Sequence, residues 1–242
     1  MDQWSAPFVF PGMRYKRAMT VASPNPPFVY DPPQDPWLDI LHQDADLLVL
    51  NKPSGLLSVP GKAPEHADCI EKRAKATFPE ARIVHRLDMD TSGVMVLALN
   101  AAAHRHLGLQ FERRKTRKTY LADIWGRPDS DGGDVNLPLR CDWPNRPRQM
   151  VCHEHGRSAL TRWAVVGRGA ASTRVQLMPH TGRSHQLRVH MKELGHPILG
   201  DRFYADGDAL AASDRLRLHA AELVLHHPAN GLQVQFSVKC PF

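Results

Sequence analysis

Between Asp46 and Val238 the chain is cut into short apolar runs bounded by glycine, proline or asparagine, and this punctuation limits the folds open to it. Asp46 to Pro53 reads as a buried strand ending in a turn, with Gly55 and Gly61 framing the loop that follows, and Gly93 to Leu99 is almost purely aliphatic. Thr119 to Trp125 sets Tyr120, Ala122 and Ile124 against Leu121, Asp123 and Trp125, the period-2 pattern of a strand. Shorter β-like runs follow at 149–152, 159–166, 173–178, 216–225 and 232–238, with Asp131-Gly132-Gly133 as a turn and residues 227–231 as a hairpin loop. Three helices are predicted: one capped by Asp68 and running through Lys75, one over 101–113, and one over 184–194 closed by Gly195. Many strands with few helices between them predict an α/β (α+β) fold, with a mixed, largely antiparallel central sheet, flanking helices and a cleft along one face.

Residues 1–36 carry Pro24, Pro26, Pro27, Pro32, Pro33 and Pro36, which rule out a helix and most strand pairing. They read as a surface or partly disordered extension with a small basic patch at Met13 to Arg17, leaving 37–242 as one principal domain. No charged n-region precedes an apolar stretch, and no apolar run approaches the roughly 20 residues that span a bilayer, so a cytoplasmic protein is expected. Cys69, Cys141, Cys152 and Cys240 form no Cys-x-x-Cys pair and read as reduced thiols. The 14 histidines include no His-Glu-x-x-His, and neither a metal nor a cofactor is expected.

A net charge of +6 and a pI near 9.3 favour a polyanionic partner. Arg113, Arg114, Lys115, Arg117 and Lys118 concentrate five cations in six residues; a solvated helix end is the plainer reading of that cluster, a nucleic-acid-binding surface the functional one. The loop Asp142 to Gln149 places Arg146 and Arg148 beside Trp143 and is too rich in proline for a strand interior. Nucleotide-binding glycine loops and the Gly-x-Ser-x-Gly elbow are missing, so a side-chain carboxylate is left as the reactive group. Val84-His85-Arg86-Leu87-Asp88-Met89-Asp90-Thr91-Ser92-Gly93 sets carboxylates beside arginine and histidine on a small polar turn, a poor way to build a core and a plausible way to build a site.

Five blocks carry a resemblance: Asn51 to Gly55, His85-Arg86-Leu87-Asp88, Lys118 to Ala122, Thr181-Gly182-Arg183-Ser184-His185-Gln186-Leu187-Arg188-Val189-His190, and Gly195 to Asp201. In this order, within a match spanning about Asp44 to Val238, the chain resembles the RluA family of pseudouridine synthases. The Asp142–Gln149 loop is similar to the branch that modifies tRNA anticodon loops and a large-subunit rRNA hairpin. The resemblance implies that uridine is isomerised to pseudouridine without a cofactor, its base detached from C1′, turned and rejoined through C5. It implies Asp88 as the catalytic carboxylate, Arg188 as its partner, Tyr120 stacked on the uracil, Arg86 filling the space a flipped base vacates, and Leu218 lining the pocket. An ionised Asp88 needs a cation beside it, and Arg188, on a predicted helix, suits a bidentate pair.

The expected RNA-binding set is Lys52, Arg113, Arg114, Lys115, Arg117, Lys118, Trp143, Asn145, Arg146, Arg148 and Arg183. Asp90, two residues from Asp88, is expected to accept hydrogen bonds within its own turn. The extension is too short and proline-rich for the N-terminal helical S4 domain that some related enzymes carry, and a monomer with no obligate protein partner is expected. The extension and the Asp90 turn differ from the expected pattern of close relatives, so a synthase for another tRNA or rRNA uridine is the main alternative. A noncatalytic RNA-binding protein and a histidine-based metal hydrolase are the more distant ones.

Overall fold

The computed structural model describes residues 29–242; most of the proline-rich extension, with its Met13–Arg17 patch, lies outside them. Strands β1 (Ile40–Gln43) and β2 (Leu47–Lys52) lead to helix α1 (Ile70–Thr77), then β3 (Arg82–Ile83), β4 (Ser92–Ala98) and helix α2 (Ala101–Glu112). Strands β5 (Arg117–Trp125), β6 (Gly132–Asn136), β7 (Leu139–Cys141), β8 (Gln149–Val151), β9 (Leu160–Arg168) and β10 (Ser172–Pro179) follow. Helices α3 (Gln186–Glu193) and α4 (Gly207–Ala211) precede β11 (Leu218–His226) and β12 (Gln233–Ser237). Ten strands form one sheet along β1-β2-β4-β11-β5-β10-β9-β6, with β3 on β4 and β12 on β11, while β7 and β8 make a separate hairpin.

The expected mixed, mostly antiparallel sheet is present, and its one parallel pairing among the described residues joins β4 to β11. That joint is two residues long, His219 opposite Ser92 and Ala220 opposite Gly93. Beyond it the strands part, β4 turning to β3 and β11 to β12. Gly93 is required at the joint: its φ is +115°, and a β-carbon there would lie 2.2 Å from the Ala220 carbonyl oxygen.

Core packing explains the composition of each strand. β2 and β4 are buried on both faces: Leu48, Leu50, Met95 and Leu97 pack under α1, while Leu47, Val49, Val94 and Val96 pack under α2. A strand covered on both sides has no polar face to show, hence the unbroken aliphatic runs. In the other half, Leu187 and Met191 of α3 cover Ala122, Ile124, Val175 and Leu177. Each fully buried leucine or valine contributes about 1.5–3 kcal/mol. Tyr120 packs against both the α1 and the α3 cluster, at the seam where the cleft opens.

Several boundaries differ from expectation for identifiable reasons. Asp68 does not cap α1; it holds Arg73 with two bonds of 2.9 and 2.7 Å, and the Cys69 sulfur accepts the Lys72 N–H instead. Gly132 and Gly133 are not a turn but the start of β6, lying flat against β9, where a β-carbon on Gly132 would meet the Trp163 carbonyl at 2.7 Å. α3 begins at Gln186, because His185 adopts left-handed backbone with φ of +52°. Residues 29–39 run over the domain surface, where the Tyr30 hydroxyl donates to the Asp68 carbonyl and accepts the Leu57 N–H.

Candidate active site

Asp88 sits in the loop between β3 and β4, and its backbone is tied down before its side chain does anything. The Leu87 N–H and carbonyl both bond the Ser58 hydroxyl, and the Thr91 N–H donates to the Asp88 carbonyl. Behind the loop lies Lys52. Its ammonium is wholly buried and donates to the carbonyls of Pro53, Leu56 and Met89 at 2.7, 2.7 and 2.8 Å. The placement of Lys52 among the RNA-binding residues is therefore corrected: the aliphatic run of β2 carries it into the interior, where it clasps the Asp88 loop. Burial pushes its pKa down to about 7, against the opposing pull of Asp90 and Asp88.

The turn that the Thr91-to-Asp88 backbone bond closes over residues 88–91 leaves Asp88, Asp90 and Ser92 facing the other half of the molecule. Arg188 Nη1 lies 3.4 Å from Asp88, Arg202 Nε 3.2 Å from Asp90, and Arg215 Nη2 donates to the Ser92 hydroxyl at 2.7 Å. Asp90 thus holds a cross-cleft ion pair and not the local turn expected of it.

Arg188 differs from expectation too. Its fork is bidentate, but toward Asp201, with Nε and Nη2 at 2.8 and 2.6 Å from the two carboxylate oxygens; Asp88 receives only the remaining Nη1. Asp201 and Arg188 are buried, at 0% and 2% side-chain exposure, whereas Asp88 keeps 28% and faces the cleft. Burial pushes the Asp88 carboxyl up, yet the charge and hydrogen bond of Arg188, with Lys52 behind the loop, outweigh it and hold the group below the usual carboxylate range. The carboxylate is ionised and open to a ligand, as a nucleophile or base must be.

A cleft of about 950 Å³ opens over Asp88, and Arg86, Tyr120, Arg188 and Leu218 all line it. Tyr120 projects from β5, its phenol held protonated by burial and by Asp88. Arg86 is exposed at the rim, and Leu218 is buried in the wall. Of the cations expected to bind RNA, Arg114, Lys118 and Arg183 reach the cleft, whereas Arg113, Lys115 and Arg117 stand on the surface beyond α2. The 142–149 loop joins β7 to β8 and overhangs a second groove of about 700 Å³ that also touches Asp88. Trp143 there is 62% exposed under the Arg146 guanidinium, 4.3 Å away, and Asn145 holds Asp142 within the loop at 2.9 Å. Arg148 faces the ring of Phe203 at 6.0 Å.

Sequence reasoning missed Asp201, His185, Arg202, Phe203 and Tyr204. Asp201 and His185 stood inside quoted blocks but lacked a role, since only the fold reveals their partners. Asp44, Asp46 and His227 bring potential metal-ligating atoms within 4.8 Å of one another, but Asp44 is already engaged by His42, His227 and two backbone N–H groups.

The family model for RNA pseudouridylate synthases matches residues 46–193. The chain belongs to that family. Among curated relatives, the dual-specificity RNA pseudouridine synthase RluA of Escherichia coli (strain K12) is 56% identical over 214 residues, covering 88% of this chain and 98% of its own. The RluA of Vibrio vulnificus (strain CMCP6) is 53% identical over 218 residues, covering 88% and 87%. Among solved structures, human RNA pseudouridylate synthase domain containing 1 superposes with a TM-score of 0.71 at 30% identity, over 85% of this chain and 84% of that one. No helix among the described residues is long and apolar enough to cross a membrane.

Proposed function

We propose that this protein isomerises uridine to pseudouridine in two kinds of RNA target, a tRNA anticodon loop and a large-subunit rRNA hairpin, with Asp88 as the catalytic carboxylate. One observation carries the reading: an ionised, partly open carboxylate faces a cleft walled by Tyr120 and Leu218, with the Arg188 guanidinium at its side. The dual specificity named in the relatives supports the choice of targets.

In this reading Asp88 attacks C1′ or removes the C2′ proton, and the C1′–N1 bond breaks. The freed uracil turns against the Tyr120 ring and C5 bonds to C1′, displacing the Asp88 carboxylate on the first route and with the proton returned to C2′ on the second, while C5 loses its proton and N1 gains one. Nothing is oxidised or added. Arg86 fills the stack left by the flipped base, whose extraction costs a few kcal/mol. Arg113, Arg114, Lys115, Arg117, Lys118 and Arg183 hold phosphates, while Trp143, Asn145, Arg146 and Arg148 meet loop bases. The enzyme acts as a cytoplasmic monomer without a cofactor, in a catalytic domain spanning 37–242.

The test is to map pseudouridine in tRNA and rRNA from cells carrying wild-type protein, Asp88→Asn, or neither. The reading requires sites in both RNA classes that vanish together in the last two; a different uridine, or a map unchanged by deletion, overturns it.

A further inference from the structure

His185 occupies the wall between the cleft and the groove under the 142–149 loop: both cavities touch Asp88, Pro147, Ser184 and His185. It stands there in left-handed backbone, φ +52°, a conformation a side-chain-bearing residue keeps only where its surroundings enforce it. Its ring stacks on Phe203, with centroids 5.7 Å apart and planes 17° apart, and its Nδ1 lies 2.7 Å from the Tyr204 hydroxyl. The same hydroxyl accepts the backbone N–H of Gln149 at 2.8 Å. Gln149 ends the loop and begins β8, so Tyr204 bonds the loop with one side of its oxygen and His185 with the other. Phe203 and Tyr204 also flank the Arg188 guanidinium, each at 5.2 Å, so both ends of this aromatic pair meet the groups that hold Asp88.

We propose that His185 is a positioning residue that, through Tyr204, relays the seating of the 142–149 loop to the Asp88–Arg188 pair, so that RNA lying in the groove speeds the chemistry at the cleft. This rests on the reading that Asp88 drives pseudouridine formation. Removal of the Tyr204 hydroxyl cuts the relay at its centre while leaving the ring beside Arg188. His185→Asn keeps a polar atom near the Nδ1 position and tolerates left-handed backbone, whereas His185→Gly tolerates the backbone and loses the side chain.

The experiment compares steady-state kinetics of wild type, Asp88→Asn, Tyr204→Phe, His185→Asn and His185→Gly on an anticodon stem-loop and on a short single-stranded uridine oligonucleotide that cannot reach the groove. Melting curves accompany each variant. For Tyr204→Phe and His185→Gly on the stem-loop, kcat is expected to fall about tenfold, the loss of one well-placed hydrogen bond, with KM within about twofold. On the oligonucleotide Tyr204→Phe should match wild type, and His185→Asn should recover most of the stem-loop rate. The Tyr204→Phe/His185→Gly double variant should lose no more than either single variant, because the two act as one unit. Equal Tyr204→Phe losses on both substrates, a change in KM alone, or additive losses would overturn the relay. A wild type that makes no pseudouridine, or an active Asp88→Asn, overturns the underlying reading as well; an active wild type with inactive Asp88→Asn and unaltered Tyr204→Phe overturns the relay alone.

Discussion

Arg188 grips Asp201 with two bonds of 2.8 and 2.6 Å and reaches Asp88 with a third donor at 3.4 Å. The guanidinium is thus fixed by a buried carboxylate and lent to an open one. Asp88 gains the charge that keeps it ionised without being locked into a bidentate pair that would occupy both of its oxygens.

The two carboxylates should therefore respond oppositely to amide substitution. Asp201→Asn strands a buried guanidinium and should cost about 3–5 kcal/mol of stability. Asp88→Asn, at a partly open site, should shift stability by less than about 1 kcal/mol while abolishing turnover. Urea unfolding monitored by tryptophan fluorescence gives the first comparison; an Asp201→Asn as stable as wild type would refute the division of labour.

Asp90 is the competing carboxylate, and its engagement with Arg202 separates it from the chemistry. Asp90→Asn should retain a measurable fraction of turnover where Asp88→Asn retains none. Single-turnover assays that ranked the two in reverse would move the catalytic role to Asp90.

His85 supplies a pH dependence whose sign follows from geometry. The Val96 N–H donates to His85 Nε2 at 3.1 Å, so that nitrogen needs a lone pair and the ring must be neutral. Burial, aided by the Lys118 charge, lowers the pKa from 6.5 to about 3. The unfolded chain then binds a proton that the folded one refuses: stability is complete above 6.5 and falls, by at most about 1.4 kcal/mol per pH unit from this group, as pH drops toward 3. An imidazole resonance that titrates near 6.5 in the folded protein would contradict this.

RNA affinity should depend steeply on salt. If about five phosphates meet the Arg113–Lys118 and 142–149 surfaces, a fourfold rise in salt weakens binding on the order of a hundredfold. Filter-binding titrations insensitive to salt would remove these surfaces from the interface.

Arg86 should matter only where a base must leave its stack. Arg86→Ala is expected to slow modification of a stem-loop while sparing an unstructured oligonucleotide. Equal rates on the two substrates would deny it the space-filling role.

The sheet, the cleft and the convergence of Asp88, Tyr120, Arg188 and Leu218 were legible because aliphatic runs mark strands and the matching blocks hold their order. What was not legible lay in partner choice. Nothing in Leu199-Gly200-Asp201 states that Asp201 folds under Arg188, and a lysine ending an apolar strand looks the same whether it emerges, as expected of Lys52, or is caged by carbonyls, as found. Asp68 and Cys69 show the same limit at one residue's resolution: a cap was visible in the sequence, but Arg73 drew the carboxylate away.

The two-residue parallel joint between β4 and β11 has a consequence for the order in which the molecule assembles. Ser92 and His219, bonded at 2.9 Å, are separated by 127 positions, so closing this joint carries a large loop-entropy cost and waits on synthesis of β11. The core under α1 is built mostly from residues that emerge long before it, whereas the cleft exists only once the joint has closed. Catalytic competence is therefore among the last properties a nascent chain acquires, and a chain ending short of Leu218 would keep much of its early core and have no pocket.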